Sequence, residues 1–234
     1  MNIYIDNNVL IDYEKDNAVL PVNNDLCYYY SYVHIDEMME LGNRLEAEKC
    51  KRLDTIKNLT KGRCLFNNDD DVVSVYYKDP YEIFSICNSS FYKELQKYKK
   101  ELHGQFNINE KRVELIEDLK TDIRKLNNYS AKEIVNEFGT DLFGYVNNSA
   151  ENFQTGFQSL FNFLDMIGFW ADKYTSRSNL ARSYDANHAY FATFCDFFVT
   201  DDKKTMNKAN VAYQLYGYKT VAISRMDFIT TQQK

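Results

Sequence analysis

The chain is poor in the residues that interrupt helices. It holds two prolines and eight glycines in 234 residues, too few for the closely spaced turns of an all-β sandwich, so long helices are expected. It also lacks a cysteine framework. Cys27, Cys50, Cys64, Cys87 and Cys195 are odd in number and form no CxxC pair. That pattern argues against a disulfide scaffold or a zinc site and for the reduced thiols of a cytoplasmic protein. Basic charge is in deficit, with 28 Lys and Arg against 34 Asp and Glu and a formal net charge of −6. No overall positive field therefore draws nucleic acid, although a metal-dependent site can carry its own positive charge. Long apolar runs are missing too. The most apolar stretch, residues 160–170, is interrupted by Asn162 and Asp165 and is too short to span a bilayer. Asp6 follows only a very short apolar run, so no signal peptide is visible and no membrane association is expected. What is present is 44% apolar content, enough to bury a substantial core.

The stretch that organises the rest is residues 185–202, DANHAYFATFCDFFVTDD. Its first half has no breaker and reads as a short helix. Its second half, Phe197-Phe198-Val199-Thr200, is aromatic and β-branched and reads as a buried strand. A helix of about ten residues and a strand of about five are each roughly 15 Å long. A strand folded back along the helix would then bring Asp185 and the Asp201-Asp202 pair to one sheet edge. Open α/β sheets place ligands at that edge, beyond the carboxyl ends of the strands. Taken singly, each acid also suits a helix start or a solvated turn.

The start of the chain repeats the pattern. Ile3-Tyr4-Ile5 is a short strand that stops at Asp6, and a helix opens by Val9. Residues 26–30 are again strand-like, and from about Val33 the chain turns helical, with Glu37 early in that helix. Residues 61–79 read as irregular apart from a possible strand at 72–77. Asp79-Pro80 supplies an N-cap and a first-turn proline for a helix to about Lys100. Apolar stripes follow at Val113, Ile116, Leu119, Ile123 and Leu126, and at Phe153, Phe157, Leu160, Phe161, Leu164 and Ile167. These are helix-on-helix core spacings. A helix over 206–216 ends at Gly217, and KTVAI at 219–223 is the last strand. The order is strand–helix twice, helices, then helix–strand twice, which favours an α/β fold with a mainly parallel sheet.

Four pieces, IYIDNNVLID, YYYSYVHIDEMMEL, DANHAYFATFCDFFVTDD and YGYKTVAIS, together resemble the PIN-domain ribonucleases, toxin-type members included. The resemblance covers roughly residues 1–45 and 180–228. It implies a single PIN-like domain over 1–234, a three-layer α/β fold with a long helical elaboration at 46–179. By matching motif positions it implies metal-site acids at Asp6, Glu37, Asp185 and Asp202, holding Mg²⁺ or Mn²⁺. Asn8 resembles the family's Asn after the first acid, and Thr200 its strand-end Thr before the last. Asp201 adjoins Asp202 and either could be the ligand, with the Thr-x-Asp spacing pointing to Asp202. The function implied is hydrolysis of RNA phosphodiester bonds. The alternative is a catalytically weak PIN-like module that binds RNA or protein. An antitoxin-like protein and a second copy of the chain are the partners the resemblance admits.

The residue chemistry fits that implication. Two carboxylates about 5 Å apart repel by roughly 3 kcal/mol at an effective dielectric near 20, so four in one pocket call for a cation. A hard dication with oxygen ligands is the economical one. His34, His103 and His188 have no matching Ser or Cys motif for a nucleophilic triad. His34 and His188 fit either a pocket wall or ordinary packing. Phosphate contacts are expected from Arg182 and Lys203, and also from Arg177, Lys204 and Lys208, against the alternative of a solvated face.

Overall fold

The computed structural model describes residues 1–16, 20–40, 46–68, 72–105, 123–172 and 175–232. They fall into two compact units. The first comprises residues 1–95, 191–202 and 220–234, and the second residues 96–190 and 203–219.

The first unit is built on a six-stranded sheet. In chain order the strands are β1 (Asn2–Ile5), β2 (Cys27–Ser31), β3 (Arg63–Asn67), β4 (Val73–Tyr77), β5 (Phe197–Val199) and β6 (Val221–Ile223). Their spatial order is β4-β3-β2-β1-β5-β6. All neighbours run parallel except the β3–β4 pair, which is antiparallel. The architecture is therefore α/β with a mostly parallel sheet. Strand β1 is central: the chain leaves it toward β2 and β3 on one side and returns to β5 and β6 on the other. The registers Ile5↔Val199 and Tyr4↔Tyr29 bring the carboxyl ends of β1, β2 and β5 to one edge.

The strands form where aromatic and β-branched residues can be buried on both faces. Ile3, Tyr4, Tyr30 and Phe198 are wholly buried, and burying each such side chain contributes about 1.5–3 kcal/mol. Helices α1 (Asn7–Asp16), α2 (Tyr32–Glu40), α3 (Glu46–Thr60) and α4 (Pro80–Cys87) follow, with α3 packed on α1, β2 and α4. Asp79 caps α4 by accepting from the Tyr81 amide, with Pro80 in the first turn as the sequence predicts. Two elements differ from expectation. β3 forms where an irregular segment is predicted, and the helix expected to run to Lys100 breaks at Asn88, after which α5 (Ser90–Gln105) begins. The α3–β3 connection is tight. Lys61 and Gly62 both have positive φ, and a Cβ on Gly62 would meet the Lys78 carbonyl oxygen at 3.1 Å.

The second unit is helical, with α6 (Ala131–Ser149), α7 (Phe153–Met166), most of α8 (Ser176–Ala192) and α9 (Lys203–Tyr216). Helices α6, α7 and α9 pack on one another. Gly217, at φ 73°, ends α9 as the sequence predicts. A last helix, α10 (Arg225–Thr231), belongs to the first unit. Val113, Ile116 and Leu119 lie outside the described residues. The end of their predicted stripe is a 3₁₀ turn, Ile123–Asn128, with Leu126 buried. α8 corrects one expectation. It begins at Ser176, so Asp185 sits in mid-helix, not at a helix start. No described helix is long and apolar enough to cross a membrane.

Candidate metal centre

The first unit gathers several of the predicted residues at its sheet edge. Asp6 directly follows β1 and Thr200 directly follows β5, the two strands at which the chain reverses direction across the sheet. The Thr200 hydroxyl donates to Asp6 Oδ2 at 2.7 Å, and both residues are buried. Asn8 Nδ2 donates to the same carboxylate oxygen at 2.8 Å and approaches Thr200 Oγ1 at 3.3 Å. The backbone fixes Asp6 as well. Its N–H donates to the Val199 carbonyl, and its carbonyl accepts from Val9 and Leu10 as α1 begins.

Glu37 joins from α2. One of its carboxylate oxygens lies within 4.8 Å of one from Asp6. Asn7 Nδ2 holds it, donating to Glu37 Oε2 at 2.6 Å and to the His34 carbonyl at 3.2 Å. His34 is fully buried, and its role is structural. Nε2 meets the Ile5 carbonyl at 2.6 Å while Nδ1 lies 3.1 Å from the Ser31 amide, an arrangement satisfied by the neutral Nε2–H tautomer. That bond ties α2 to the last residue before Asp6. Tyr4 adds to the frame through a 2.6 Å bond to Ser31 Oγ, and burial pushes its hydroxyl pKa well up.

The donor set suits a hard dication. Besides the two carboxylates, Asn7 Oδ1 and Asn8 Oδ1 are buried acceptors without a hydrogen-bond partner. Buried polar atoms are normally satisfied, and an orphaned pair beside two acids is the kind of oxygen-rich lining that Mg²⁺ or Mn²⁺ accepts. Asn7 was missed by the sequence reading. The Asn-Asn dipeptide straight after the strand-end acid was the available signal.

Asp201 and Asp202 diverge. Asp201 accepts from the Arg225 amide at 3.0 Å and pairs with the Arg225 side chain, and so holds the first turn of α10, whose N-cap is Ser224. The sequence pattern gives no sign of α10, so this partner for Asp201 is a finding of the structure. Asp202 is exposed, and its amide donates to Thr200 Oγ1 at 3.2 Å. Asp36, next to Glu37, is buried; burial of the Cys87 thiol, helped by the Asp36 charge, pushes that thiol up to about 11. All five cysteines are free.

The remaining predicted residues belong to the second unit. Asp185 lies half-buried on α8, one turn before the buried His188. Lys203 is exposed at the start of α9. Arg182 is 2% exposed, ion-pairs with Asp165, and donates to Asn162 and Asn179, so it lies inside the helical unit and not on an exposed rim. Its α8 position faces the helical core, where a guanidinium is retained only if paired. Lys208 is likewise buried between Asp165 and Asp172, and Lys204 pairs with Asp172. No protein-family model, curated protein or solved structure matches the chain.

Proposed function

We propose that the chain is a PIN-like, metal-dependent endoribonuclease that hydrolyses RNA phosphodiester bonds at the edge where Asp6 and Glu37 meet. The observation that supports this best is their carboxylates within 4.8 Å of each other at the reversal point of the sheet. At that separation and an effective dielectric near 20, two charges repel by roughly 3 kcal/mol. Nearby amide oxygens add further negative potential, so the arrangement favours a cation strongly.

Asp6 and Glu37 would hold the ion, with Asn7 and Asn8 Oδ1 as further oxygen donors. Bound Mg²⁺ or Mn²⁺ supplies Lewis-acid stabilisation of phosphoryl charge and water of lowered pKa. The chain's own contribution is positioning. Thr200 and Asn8 fix one oxygen of Asp6, and Asn7 fixes one oxygen of Glu37. Each uses a neutral donor, which orients a carboxylate without cancelling its charge. The family resemblance extends the acid set to Asp202. Lys203, exposed beside Asp202 in sequence, is the cation best able to meet an RNA phosphate.

Cleavage of a labelled single-stranded RNA by the purified chain tests this, with Mg²⁺ or Mn²⁺ and with chelator. Wild type should cleave only with metal. Asp6→Asn and Glu37→Gln should each be inactive with the fold retained. Cleavage that survives chelator, or survives both substitutions, would overturn the proposal.

A further inference from the structure

A second, chemically different cavity lies wholly within the helical unit. It holds about 360 Å³ and is lined from three helices, a size at the small end of ligand sites. Helix α8 contributes Arg182 and Ser183, α5 contributes Tyr98 and Lys99, and α7 contributes Gln158 and Asn162. Among the described residues none lining it is acidic.

Three features point to an occupant. Ser183 is 4% exposed, lines the cavity, and its buried Oγ has no hydrogen-bond partner. A buried hydroxyl left unbonded costs stability, and a ligand oxygen would relieve that cost. Arg182 and Lys99 put two cations in one lining. Arg182 is held rigid by Asp165, Asn162 and Asn179, and Lys99 Nζ lies 4.4 Å from the centre of the Tyr184 ring. The guanidinium keeps a single N–H beyond those given to Asp165, Asn162 and Asn179, and that donor beside an ammonium suits one phosphate oxygen.

The amides on α7 complete a pattern. Gln158 donates its Nε2 to Asn187, which leaves its carbonyl oxygen as an acceptor. Asn162 gives its Oδ1 to Arg182, which leaves its NH₂ as a donor. The two sit four residues apart, hence on one face of the helix. An adjacent acceptor and donor complement the amino group and ring nitrogen of adenine or cytosine, and Tyr98 offers an aromatic wall. We infer that the cavity between α5, α7 and α8 binds a nucleoside monophosphate with an amino-bearing base, its phosphate on Arg182, Lys99 and Ser183. This site does not depend on the nuclease reading.

Calorimetric titration of the full chain with AMP, CMP, IMP, UMP, adenosine and inorganic phosphate tests it. AMP and CMP should bind, with IMP and UMP about tenfold weaker for want of the amino donor. Lys99→Ala should weaken AMP about tenfold and leave adenosine unchanged, since it removes one charged contact. Ser183→Ala should weaken AMP while leaving Tm unchanged or higher, whereas a merely structural hydroxyl would lower Tm and leave affinity alone. Absence of binding at millimolar nucleotide would overturn the inference. So would equal affinity for phosphate alone, or AMP affinity unchanged in both variants.

Discussion

The acids at the sheet edge and those buried among the helices are held in opposite ways. At the sheet edge, Asp6 and Glu37 take hydrogen bonds from a threonine hydroxyl and two asparagine amides. In the helical unit, Asp165 and Asp172 take theirs from the guanidinium of Arg182 and the ammonium groups of Lys208 and Lys204. Neutral donors leave the carboxylate charge in place, whereas cations cancel it. The first arrangement suits recruitment of a metal ion, and the second suits holding helices in register. An acid's sequence neighbours do not reveal which kind it is; the chemistry of its hydrogen-bond donors does.

The largest expected contrast is in stability. Asp165→Asn strands the Arg182 charge in the core and leaves Lys208 with Asp172 alone, and it should cost about 3–5 kcal/mol in urea denaturation. Asp6→Asn should change stability by less than about 1 kcal/mol, because it relieves repulsion while keeping a hydrogen-bonding group. Similar losses in both variants would erase the distinction between the two groups of acids.

A smaller contrast separates the neighbours at the end of β5. Asp201→Asn should cost about 0.5–1 kcal/mol, from its partly exposed pair with Arg225 and its hold on the first turn of α10. It should lower RNA cleavage only a few-fold. Asp202→Asn should leave stability alone and abolish cleavage. Reversed phenotypes would place Asp201 on the metal and contradict the register drawn for this turn.

The smallest effect is a pH limb. Burial tends to raise the Asp172 pKa, but the charge of Lys208 and hydrogen bonds from Lys204 and Lys208 outweigh it, so the value is lowered. A carboxylate with a depressed folded pKa contributes stability that is present above its unfolded pKa of about 3.9 and lost as pH falls through the folded value. Burial lowers and Asp165 and Asp172 raise the Lys208 pKa, with a net rise. Its contribution is full below about 10.4 and lost only above the folded value. Stability should therefore be flat near neutrality, and Asp172→Asn should flatten the acid limb. An unchanged acid limb in that variant would contradict the pairing.

How much of this was legible in sequence follows from what periodicity can see. β1, β2 and β5 are aromatic or β-branched runs, and Asp6 stops β1 sharply. β3 was hidden because Arg63 opens it. Its guanidinium donates to the Tyr28 carbonyl at 3.1 Å and stays half-buried, so a strand start looked like a loop. The early turns of α8, SRSNLARSYD, carry no apolar stripe for a related reason. Asn179, Arg182 and Ser183 are polar yet buried, and a hydrophobic pattern does not register buried polar networks. Lys208 was read as a rim cation through the same blindness. The bond between Asp6 and Thr200 spans 194 residues. It could be anticipated only through strand order, which hydrophobic periodicity does not give.

The claim that the sheet edge recruits a dication is tested most directly by calorimetric titration of Mn²⁺ into wild type, Asp6→Asn and Glu37→Gln. The account predicts saturable binding to wild type that is lost in both variants, with their folds intact by circular dichroism. Undiminished Mn²⁺ binding in Asp6→Asn would contradict it.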